Sequence, residues 1–122
     1  LGAFCGDYDL DAETALRLAC PLGGGMRCGE VCGALSGALL VVGLKHGHYL
    51  PGDGGAKENC YARTAEFVRA FREKHGAVRC RDLLGMDISQ PGGREVARDA
   101  GLLETVCAKL IEDAVTSLEE RA

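Results

Sequence analysis

With 122 residues the chain is the size of one ordinary domain, long enough to close a core of its own. A formal charge of -4 at pH 7, with Lys and Arg dispersed among acids, leaves no basic surface for a phosphate backbone and excludes nucleic acid as an expected partner. Seven cysteines are the compositional anomaly: the odd count rules out complete pairing within the chain, and their helical contexts fit a reducing cytoplasm better than a disulfide framework.

Leu1 to Cys5 reads as the tail of an element already under way. The expectation is therefore one helical, cysteine-rich domain over residues 1–122 with a truncated N-terminal helix, and a targeting segment upstream stays open. Ala12, Ala15, Leu16 and Ala19 then mark one helix face, with Asp11 as N-cap and Pro21 just beyond, which predicts a helix from about Asp11 to Cys20. The run Gly23-Gly24-Gly25-Met26 follows, a backbone able to turn sharply or approach a bound group closely. Gly24 and Gly25, with Gly33 beyond them, are the expected points of close backbone approach to a cofactor. No strand precedes the loop and no Gly-Lys-Ser/Thr follows, so it is not a phosphate loop.

From Glu30 to His46 the sequence is apolar nearly all round, the mark of a buried central helix. Its apolar run, Val31 to Leu44, falls short of the roughly 17–25 residues that cross a bilayer, so no membrane insertion is expected. Gly33 with Gly37, and Ala34 with Ala38, put small residues one turn apart, and Gly47 is a natural terminator. A polar Gly- and Pro-bearing connection leads to a third stripe, Cys60, Thr64, Phe67, Val68 and Phe71, stopping at Gly76. Cys80, Leu83 and Leu84 share a face of a short fourth piece, which Asp87 to Gly93 breaks. Leu103, Val106, Cys107, Leu110, Ile111, Ala114 and Leu118 make the last helix. No stretch alternates with period two. The predicted class is all-α, a compact bundle of about five helices around a central helix at residues 30–46.

Cys32, Cys60, Cys80 and Cys107 lie on or at the head of apolar faces, so folding should carry them inward. A single such cysteine commonly packs as a small hydrophobe. Several thiols on separate helices around one central helix can instead assemble a soft-metal or redox site. Cys28 and Cys32 flank the expected start of the central helix, where unpaired N–H groups and the dipole favour a thiolate. Their spacing matches neither a dithiol oxidoreductase nor a zinc module. His46 and His48 have no acidic partner in a ligand spacing, and His75 at a helix C-terminus has a ready role facing the dipole.

The stretches LDAETALRLACPLGGGM, CGALSGALLVVGLKHG, CRDLLG and VCAKLIEDAV together resemble the bacterial and archaeal redox-active proteins named for a C–GCAxxG–C–C cysteine pattern. The resemblance spans essentially the whole chain, and its most specific piece is Cys32-Gly33-Ala34-x-x-Gly37 following the glycine loop. The family label writes the glycine before the cysteine, whereas here Val31 precedes and Gly33 follows. The resemblance implies that Cys32, Cys80 and Cys107 are the central, third and fourth family cysteines, and that the first lies upstream of Leu1. Cys5, Cys20, Cys28 and Cys60 have no counterpart. It further implies a helical domain with a cysteine-based redox or metal centre, similar to the iron–sulfur part of split-Soret cytochromes; those are dimeric, which makes a homodimer a candidate assembly.

Three functions follow as expectations. The first is an electron-transfer or metal-binding domain, at most an oxidoreductase component, in which Cys32, Cys80 and Cys107 with an upstream Cys or Cys28 hold an iron–sulfur cluster for a separate redox partner protein. Zinc would accept the same thiolates without redox chemistry. The second is thiol–disulfide exchange led by Cys28 or Cys32, and the third a helical interaction domain with core cysteines and no cofactor.

Overall fold

A computed structural model describes residues 1–121. Asp11 begins the first full helix as a cap should: its carboxylate accepts from the Thr14 N–H at 2.9 Å, and α1 runs Ala12–Ala19. A 3₁₀ turn, Cys5–Tyr8, precedes it, and a second, Cys20–Leu22 with Pro21, follows directly. The central helix α2 covers Gly33–His46 and ends at Gly47. Asp53 caps α3, Gly54–His75, accepting from the Ala56 N–H at 3.1 Å, and Gly76 closes it in the left-handed region at φ +84. The short helices α4, Cys80–Leu84, and α5, Gly93–Asp99, lead to a wide turn at Leu103–Cys107 that runs into α6, Ala108–Arg121. Among the described residues the fold is all-α, with one isolated β-bridge between Val31 and Arg79.

Two apolar clusters hold these elements. In the larger, Leu35, Ala38 and Val42 of α2 meet Phe67 and Phe71 of α3 and Leu110 and Ala114 of α6, with Cys32 at its edge. Leu35 is 1% exposed. The smaller packs Cys80 and Leu84 of α4 with Ile88 and Ala97, and Cys107 lies against it. Val106 touches both and joins them. α6 also buries a carboxylate, Asp113, ringed by Lys109 at 3.2 Å, Lys74 at 3.7 Å and His75 at 3.8 Å. The Lys109 ammonium holds the Asp113 carboxyl below its usual range. This network ties the end of α3 to α6.

The sequence expectations depart from the structure at three boundaries. α2 starts at Gly33 rather than Glu30, because residues 30–32 are extended and pair with the approach to α4: the Cys32 N–H donates to Val78 O at 2.8 Å and the Cys80 N–H to Glu30 O at 2.6 Å. Cys32 is therefore the N-cap of the helix and not part of its first turn. α5 has no stripe to announce it, since Ala97 is its one buried side chain and Val96 is exposed. The last segment is divided at Cys107, where the Ala108 N–H reaches back to Leu103 O across a turn one residue wider than an α-helix allows.

Candidate functional site

The glycine loop sets the geometry. Gly24, Gly25, Met26 and Arg27 all have positive φ, at +66, +63, +59 and +60, so the chain makes a turn of left-handed helix. Met26 and Arg27 carry side chains in a region that costs about 1–2 kcal/mol per residue. Gly25 is obligatory for a second reason: a Cβ there would lie 2.4 Å from the Glu30 nitrogen. The Glu30 N–H closes the turn on Gly25 O at 3.1 Å. Contacts from α4 hold it: the Arg81 guanidinium pairs with the Glu30 carboxylate, and its Nε donates to Gly29 O at 3.1 Å. The strained turn thus delivers Cys32 beside Cys80.

A groove of about 380 Å³ opens at this place. Cys20 from the 3₁₀ turn, Cys32 at the cap of α2, Cys80 at the first residue of α4 and Cys107 at the wide turn all line it. Ile88, Ile111, Val115 and Leu118 supply apolar walls, and Gly24, Gly33 and Gly37 bring backbone to the edge. Cys32 and Cys80 are buried, Cys107 is half-buried and Cys20 is exposed at the rim. All seven cysteines are free thiols.

Burial, followed by repulsion from Cys32 and Cys107, pushes the Cys80 thiol up to about 11; Asp87 adds to this and Arg27 opposes it. Burial and then Cys32 push Cys107 up as well. Cys32, Cys80 and Cys107 thus share one groove, where Cys32 raises the other two thiols. Among the described residues, no group of three or more His, Cys, Asp or Glu is arranged to hold a metal ion.

Other candidates fall elsewhere. Cys28 lies off the groove, exposed on the left-handed turn, where its Sγ donates to Gly25 O at 3.2 Å. Gly25 sits beneath Glu30 and does not line the groove, unlike Gly24 and Gly33. Cys60 is half-buried on α3 and Cys5 is buried in the first 3₁₀ turn. His46 lines a separate cavity of about 410 Å³ that contains no cysteine. Burial, with Arg63 and Lys45 nearby, keeps that imidazole's pKa low. The residue that sequence reasoning missed is Cys20; its one signal is position, directly ahead of the glycine loop.

The model of the family described as "Putative redox-active protein (C_GCAxxG_C_C)" matches residues 1–121. The chain belongs to this family. Cys32, Cys80 and Cys107, the cysteines assigned from the family resemblance, line one groove, and Cys20 lines it as well. No curated protein and no solved structure matches the chain. Among the described residues no helix is long and apolar enough to cross a membrane.

Proposed function

We propose that this member of the redox-active family is an electron-transfer domain in which Cys32, Cys80 and Cys107, with Cys20 at the rim, hold an iron–sulfur cluster. The observation that carries the reading is the arrival of four cysteines, from four separate segments, in one apolar groove. Thiolates are the usual ligands of such clusters, and the donor set here is soft throughout. Burial and repulsion from neighbouring thiols push the Cys80 thiol up to about 11, and a bound cation would supply the charge that favours its thiolate. Zinc would accept the same thiolates but would supply no redox chemistry. When bound, a cluster would supply one-electron chemistry. The chain's own part is to bind through the four sulfurs, to exclude water with Ile88, Ile111, Val115 and Leu118, and to allow close backbone approach at Gly24 and Gly33. A reducing cytoplasm suits the free thiols, and a separate protein would take the electrons.

Anaerobic purification with iron and acid-labile sulfide analysis tests this. Visible colour with both elements is expected, lost in Cys32→Ser, Cys80→Ser or Cys107→Ser, weakened in Cys20→Ser and kept in Cys28→Ser. Colourless, metal-free protein overturns it. The exposure of Cys20 beside buried thiols favours one second reading. In it Cys20 and a groove thiol give up two protons and two electrons to an external disulfide, which leaves as two thiols. Peptide mapping of the oxidised, metal-free chain would show an intrachain disulfide at Cys20.

A further inference from the structure

The left-handed turn holds a charge as well as a fold. Arg27 lies in this turn, with its guanidinium over Gly24: a Cβ on Gly24 would stand 2.9 Å from Arg27 Nη1. Gly24 lines the thiol groove, and Arg27 acts electrostatically on Cys80. Among the described residues Arg27 has no hydrogen-bond or ion-pair partner. The one carboxylate also acting on Cys80, Asp87, is differently placed. Its oxygens accept from the Ser89 N–H at 3.0 Å, the Ser89 hydroxyl at 2.6 Å and the Gln90 amide at 3.2 Å. The Asp87 anion is thereby held by the protein, while the Arg27 cation is exposed to water at the edge of the groove.

An arginine is also an expensive choice for this position. At φ +60 glycine would sit without strain, so a side chain there costs the turn stability. The groove's volume lies within the range of small-molecule sites. We propose that Arg27 makes the thiol groove selective for small molecules bearing a carboxylate, so that the reaction partner of these thiols belongs to that class. The proposal rests on the second reading above, in which the groove thiols themselves react with an external disulfide.

The test compares iodoacetate with iodoacetamide on the reduced, metal-free full chain, read at Cys80 by peptide mass spectrometry. In both reactions the thiolate sulfur bonds to the methylene carbon and iodide leaves. Both reagents meet the same thiolate, so the ratio of their rates cancels the thiol's own ionisation and reports only the field felt by the incoming carboxylate. Arg27→Gly is expected to lower the acetate-to-acetamide ratio at Cys80 roughly three- to tenfold, less at high salt, while Arg27→Lys keeps it within about twofold. The ratio at Cys60, on α3, should not move. Because glycine relieves the turn, a lost ratio in Arg27→Gly cannot be ascribed to unfolding. An unchanged ratio overturns the selection, and so does a Cys80 that reacts with neither reagent in the folded chain. The redox reading is judged separately by metal analysis and disulfide mapping, so either idea can fail while the other stands.

Discussion

The two apolar clusters are built on different terms. Around Leu35, Phe67, Phe71 and Leu110, three long helices meet through side chains in ordinary helical register, and periodicity alone explains who touches whom. Around Cys80, Ile88 and Ala97, the elements are short, the turns are left-handed or wide, and contacts run through backbone groups and glycines as much as through side chains. The first region stores stability. The second spends some of it to hold thiols together, as the unrelieved strain at Met26 and Arg27 shows.

The sharpest way to break that comparison is in the helical core. Leu35→Ala should cost about 3–4 kcal/mol by denaturant unfolding, since nothing around a side chain 1% exposed can easily collapse into the space. A loss near 1 kcal/mol would mean that the core is no better packed than the thiol end. At that end, Gly25→Ala should cost about 2–3 kcal/mol, through left-handed strain and a collision with the Glu30 backbone. It should also raise the alkylation rate of Cys32, which the turn delivers to the groove. Equal stability and unchanged reactivity would show that the turn positions nothing.

A gentler probe uses pH on the reduced, metal-free chain. The Cys80 thiol ordinarily ionises near 9.0 and is raised to about 11 in the fold, so between those values the unfolded chain releases a proton that the folded chain keeps. Stability from this source is full below pH 9 and is lost as pH rises towards 11, by about 2–3 kcal/mol in all. Cys107, shifted in the same direction, adds to the slope. Cys80→Ala should flatten the decline measured by urea unfolding across that range. An equally steep decline would place its origin away from the thiol cluster.

Much of this was legible in the residues. The stripe through Phe67 and Phe71, the stops at Gly47 and Gly76, and the cap at Asp11 are local signals, and local geometry obeyed them. The site was legible in part. Cys32, Cys80 and Cys107 could be associated through the family resemblance, but which other thiol joins them could not. Cys28, closer to Cys32 in sequence, is turned outward by the left-handed turn, while Cys20, on the far side of the glycines, is brought to the groove.

What the sequence by itself determined is the helical class, the register of the long helices and the cysteines of the family pattern. These follow from side-chain periodicity and residue type, which act over one or two turns of chain. Only the tertiary structure decided the left-handed course of Gly24 to Arg27, the short α5 and the choice of Cys20 over Cys28. Each of these depends on backbone partners or on packing that periodicity does not encode. Glu30 and Arg81 hold the turn from 51 residues apart, and α5 is seated through buried Gly93 and Ala97. Strain of this kind is tolerated because distant contacts hold it in place.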